Sequence, residues 1–188
     1  AVVAPSSGVV EGRWLVAVDI VGGGALAAGD PRIRLATRVE PSWLAPTHTE
    51  VLHELEASTG CVRARAIERH QSLVLAEHPA RVDPAESARL LAAAWRSRPP
   101  AGDDAALLRR ARFAGVTLDI GAALAAACAA AGSLDQVRLT PFIPFEQRRA
   151  IEHLAPERLL VPSGRTVALR YEPDASVVAA VKLQELFG

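Results

Sequence analysis

The apolar period of this chain changes once, near Arg81, and that change limits what it can fold into. Before Arg81 the apolar residues alternate or gather in short runs between Gly and Pro, which is the pattern of strands. After Asp83 they recur at helical spacing, and near the end strand-like runs return. The fold class expected is therefore α+β: a small OB-like β-barrel, a short helical region, and the start of a second small β domain. The boundaries that follow are 1–82, 83–155 and 156–188.

In the first region Trp14–Val21 and Pro31–Val39 read as strands, separated by Gly22-Gly23-Gly24. Pro41–Leu44 reads as a turn or a single helical turn. Glu50–Ala57 and Cys61–His70 read as a hairpin. With Thr59-Gly60 as a two-residue loop, Glu56 faces Arg63, Glu54 faces Arg65 and Glu50 faces Arg69, a ladder of opposite charges on one face. Gln71–Glu77 is one further strand. Five short strands in about 80 residues are what suggest a small barrel.

Asp83-Pro84-Ala85-Glu86 opens the helical region with a capping signature, and Pro stands at the first helical position. Arg98-Pro99-Pro100 stops that helix. Further helices are expected over 103–113, 119–131 and 144–154. The third lies in the alanine-rich run Gly121–Gly132, which is far too short to span a membrane. Arg158–Val161, Thr166–Tyr171 and Val177–Leu183 read as strands, with turns at Pro162-Ser163-Gly164-Arg165 and Glu172-Pro173-Asp174-Ala175.

Charge narrows the function. Lys plus Arg equals Asp plus Glu at 21 each, so a module that holds nucleic acid through bulk charge alone is disfavoured. The chain has 20 arginines and one lysine, a bias that reads as genome composition. It opens without Met and carries no signal-peptide pattern, so it is expected to be a piece of something longer, working in a reducing cytoplasm. Cys61 and Cys128 match no metal or disulfide spacing.

The familiar catalytic motifs do not occur in this sequence. Lys182 stands in Val-Lys-Leu, so no phosphate-binding Gly-x4-Gly-Lys loop exists. His48, His53, His70, His78 and His153 show no i,i+4 pair of the kind that holds zinc on a helix. Ser163 sits in a turn signature, without a Gly-x-Ser-x-Gly elbow. Asp103-Asp104 reads as a complement to the dipole at a helix head. Arg109, Arg110 and Arg112 read as a solvated helix face. No catalytic residue and no metal site are assigned.

Nucleic-acid contact is the functional reading that remains. Arg13 and Trp14 would offer charge and a stacking face, although Trp14 also suits a core strand. Arg63, Arg65, Arg165 and Lys182 complete the candidate set, with the cations on phosphates and Trp14 under a base.

The last third also carries a family resemblance. Leu154-Ala155-Pro156, Val161-Pro162-Ser163-Gly164-Arg165 and the run Val181–Gly188, VKLQELFG, all fall within 143–188. Together they resemble the C-terminal part of HrpB-type bacterial ATP-dependent helicases of the DEAH-box/RHA-like group. RWLVAVDI, DPRIRLATRVEPSWL and LVLAEHP, earlier in the chain, resemble the OB-like segment after the helicase core; residues 99–139 match loosely. The resemblance implies two RecA-like motor domains in the same protein, with ATP and Mg acting there. This sequence has neither a Walker motif nor a DEAH box, so the family's catalytic residues map onto no position in it. The function implied is an accessory helicase part that guides single-stranded RNA or DNA and braces the motor. The alternative is a structural or protein-interaction module without a nucleic-acid site.

Overall fold

The computed structural model describes residues 2–4, 9, 14–22 and 31–182. Its elements are α+β, and the chain divides into two units. One comprises Ala1–Glu50 and Ala66–His78, the other Val51–Arg65 and Pro79–Gly188.

The first sheet joins β1 (Val2–Val3), β2 (Leu15–Val21) and β3 (Arg32–Arg38) in the order β1-β3-β2. β2 and β3 are antiparallel from Leu15 opposite Arg38 to Val21 opposite Arg32, with a register irregularity around Asp19. β-Branched residues suit a pleated surface, which explains a run as rich in Val and Ile as β2. Ala36 is its buried centre, whereas Val16, Val18 and Ile20 are all at least half exposed. A 3-10 turn at Pro41–Trp43 follows. The second sheet has β4 (His48–Leu55), β5 (Val62–His70) and β6 (Leu73–Ala80) in the order β4-β5-β6. β6 continues through Pro79 because it is an edge strand, where a missing N–H leaves no ladder bond unmade.

Two expectations are corrected here. The sheets are open and three-stranded, and among the described residues none closes into a barrel, so the OB-like assignment is not met. The hairpin loop has four residues, Ala57–Gly60, instead of two. The Glu56 amide donates to Cys61 O (2.9 Å) and the Gly60 amide to Glu56 O (2.8 Å). Gly60 takes φ +66°, a left-handed conformation that glycine adopts at no steric cost. Its carbonyl accepts from the Leu134 amide at 2.8 Å, which fixes the hairpin tip to a later turn. The backbone register is therefore offset by two residues from the expected one. Side chains keep their faces under a two-residue shift. The acid–base ladder forms all the same, reaching diagonally: Arg63–Glu56 at 2.9 Å, Arg65–Glu54 at 2.7 Å and Arg69–Glu50 at 2.6 Å.

The helices are α1 (Pro84–Arg96), α2 (Gly102–Phe113), α3 (Ile120–Ala130) and α4 (Phe145–Leu154), with 3-10 turns at Leu134–Gln136 and Thr140–Phe142. Asp83 caps α1, its Oδ1 accepting from the amides of Ala85 at 2.7 Å and Glu86 at 3.4 Å. Asp119 caps α3 through the Ala122 amide at 2.9 Å. The core of the second unit is built on Leu91, Leu124, Leu139 and Ile151, each 0–1% exposed. Burying one such side chain is worth about 1.5–3 kcal/mol. The alanines of α3 explain the run Gly121–Gly132. Ala123 and Ala127 are buried beside Leu124 and Cys128, and their small side chains let α3 pack closely on α1.

The third sheet has β7 (Arg158–Leu160), β8 (Thr166–Tyr171) and β9 (Val177–Ala179) in the order β7-β8-β9. Along β8, Val167, Leu169 and Tyr171 turn inward while Thr166, Ala168 and Arg170 are exposed. No helix among the described residues is long and apolar enough to cross a membrane.

Candidate nucleic-acid interface

The sequence-expected cations are dispersed in the structure. Arg13 lies outside the described residues. Trp14 belongs to the first unit, half-buried, and its carbonyl accepts from the Val39 amide at 3.1 Å. Arg63 and Arg65 point from β5 into their glutamates, and that pairing directs their charge into the hairpin. Arg165 is exposed in the turn between β7 and β8, its carbonyl accepting from the Val161 amide at 2.9 Å. Lys182 is exposed beyond β9.

Of the α2 arginines expected on a solvated face, Arg112 is exposed and Arg109 half-buried, but Arg110 is buried. Arg110 is 8% exposed. Its Nε donates to Ala155 O at 2.7 Å and one terminal nitrogen to Glu157 at 2.6 Å, while the other bonds Glu152. A planar guanidinium can satisfy three acceptors in one plane, and here it ties the last turns of α2 to the end of α4 and the start of β7. Arg112 donates to Pro173 O at 2.8 Å, and the Phe113 ring meets Tyr171 edge-on at 5.0 Å. The Tyr171 hydroxyl donates to Pro156 O at 2.7 Å, and burial pushes its phenol above the usual range. Asp104 is also more than a dipole complement. It is 5% exposed and accepts from the Leu139 amide at 2.9 Å, so it holds the 3-10 segment against α2.

Nucleophilic and metal chemistry find little support among the described residues. Burial raises the Cys128 thiol, which keeps it protonated and inert. No group of three or more His, Cys, Asp or Glu there could hold a metal ion. A cleft of about 500 Å³ opens beside Trp95, Arg98 and Arg138, but Asp103, Asp104 and Asp135 line it too, and that balance does not attract a polyanion.

Sequence reasoning placed α4 but passed over its exposed side chains. Phe145 is 64% exposed, and Arg148 and Arg149 are exposed one turn further on. Among the described residues no hydrogen bond or ion pair engages either guanidinium. The available signal was Phe-x-x-Arg-Arg after a helix-opening proline.

Residues 125–188 match the model of a family described as ATP-dependent helicase C-terminal. The HrpB-type resemblance is thus borne out in the segment where its motifs lie. Among solved structures the chain is similar to the E. coli DExH-box NTPase HrpB, at 20% identity over 93% of this chain and 26% of that one, with a TM-score of 0.45. It is also similar to the Escherichia coli DEAH/RHA helicase HrpB, at 17% identity over 94% of this chain and 26% of that one, with a TM-score of 0.47. No curated protein matches. The chain spans about a quarter of the length of these two solved chains.

Proposed function

We propose that this chain is an accessory C-terminal part of an ATP-dependent RNA or DNA helicase, holding single-stranded nucleic acid and bracing the RecA-like motor domains of the same protein. The family match over residues 125–188 is the observation that carries this reading. ATP and Mg belong to the motor domains. No loop in this sequence fits them, since its one lysine stands in Val-Lys-Leu. The cytoplasm suits such a part, and both cysteines are free thiols.

Strand holding is tested by fluorescence anisotropy with labelled single-stranded RNA and DNA at about 50 and 200 mM salt. Binding that weakens steeply with salt is the expected result. A flat, unsaturated trace at both salts would remove strand holding and leave only bracing.

A second reading has its own support. Arg63 and Arg65 are neutralised by Glu56 and Glu54, and the first sheet exposes Val16, Val18 and Ile20. These features suit a protein-interaction module without a nucleic-acid site.

A further inference from the structure

We infer that the exposed face of α4, formed by Phe145, Arg148 and Arg149, is where single-stranded nucleic acid is held; this rests on the strand-holding reading above. Phe145 exposes 64% of its surface, on a helix whose one fully buried side chain is Ile151. Among the described residues no packing accounts for a large aromatic left this open at the first helical position. Arg148 and Arg149 follow at i+3 and i+4, so all three share a face with Cβ atoms about 5–6 Å apart.

The two cations are available because of α2. Glu152, at i+4 from Arg148, is the ordinary helical partner for that arginine. Arg110 takes Glu152 instead, together with Glu157. The buried guanidinium thus removes the carboxylate that would neutralise Arg148 from within α4. Glu146 is the remaining acid in the first turn, and no ion pair joins it to Arg149 among the described residues. Two solvated cations beside an open ring match the repeat of a single strand: phosphate on the guanidinium, base on the aromatic face. With a formal net charge of zero for the chain, such local imbalance is what a polyanion can find.

The test uses the full chain and labelled single-stranded RNA and DNA of about 12 nucleotides, in the range one such surface covers. The double variant Arg148→Gln/Arg149→Gln is expected to bind about tenfold or more weakly at 50 mM salt and to flatten the log K against log salt slope by about 1.4, the value for two lost phosphate contacts. Phe145→Ala is expected to weaken binding by about tenfold with the slope unchanged, because stacking releases no counterions. Arg63→Gln/Arg65→Gln is expected to bind as the parent does. All three positions on α4 are exposed, so the variants should melt with the parent. A triple α4 variant that melts normally and binds at full strength overturns this placement while strand holding stands. A parent chain that binds neither oligonucleotide overturns the strand-holding reading itself. Equal binding of an oligoglutamate peptide, lost in the same variants, would assign the face to an acidic protein and overturn the nucleic-acid assignment.

Discussion

Arg110 Nε donates to the carbonyl of Ala155, 45 residues further on, at 2.7 Å. One buried side chain on α2 therefore closes the loop that contains α3, both later 3-10 turns and α4. Arg110→Ala is expected to destabilise the second unit by about 2–4 kcal/mol, since it strands a carbonyl and releases two carboxylates. Glu152 and Glu157 are largely exposed, which keeps the loss below that of a fully buried pair. Arg110→Lys should recover less than half, because an ammonium cannot reach three acceptors in one plane. Urea midpoints at constant slope read both effects.

Asp104 offers a cleaner comparison of charge with geometry. Asp104→Ala leaves the Leu139 amide unsatisfied inside the protein, at about 1–3 kcal/mol. Asp104→Asn retains an acceptor at the same place and should lose about half as much. Thermal melts of the two variants side by side decide it, and equal losses would mean that the charge itself matters.

The glutamate–arginine ladder of the hairpin should contribute little. Arg63 and Arg65 are 68% and 46% exposed, so each substitution to Gln should cost less than about 1 kcal/mol. The loss should shrink further in molar salt, where exposed pairs are screened. Denaturation at low and high salt checks this, and a salt-independent loss would contradict it.

Tyr171 predicts an alkaline weakness. Its phenol is raised above the ordinary value of 10.0, chiefly by burial. The unfolded chain then loses this proton first, so the stability is complete below about pH 10 and is lost as pH climbs toward the folded value. Tyr171 is the chain's one tyrosine, so the change in ultraviolet absorbance on phenol ionisation reports it alone. Tyr171→Phe should remove that part of the decline while costing about 1 kcal/mol at neutral pH.

Much of the local structure was legible in the sequence, because its causes are local. Asp83-Pro84 marks the start of α1 through a cap two or three residues away. The charge ladder was legible because period-two alternation places Glu50, Glu54 and Glu56 on one face whatever the turn. Closure was not: a count of strands says nothing about whether their edges meet, and the expected barrel became open sheets. Arg110 was not either. Its acceptors lie 42–47 residues away, so a helical reading of 109–112 sees only a row of charges. The open cations of α4 escaped notice for the same reason, since Arg148 has a suitable glutamate in sequence and loses it only in three dimensions.

The four-residue loop Ala57–Gly60 fixes which changes in chain length the hairpin can absorb. Adding or removing a pair of residues there slides one strand by a full pleat and returns every glutamate to an arginine, straight across or diagonally. A slide by a single residue would move the same glutamates to the opposite side of the sheet, onto Leu55 and Val62, which pack on the core. Length variation at this tip therefore follows parity: even insertions can be taken into the ladder, whereas odd ones stay in the loop.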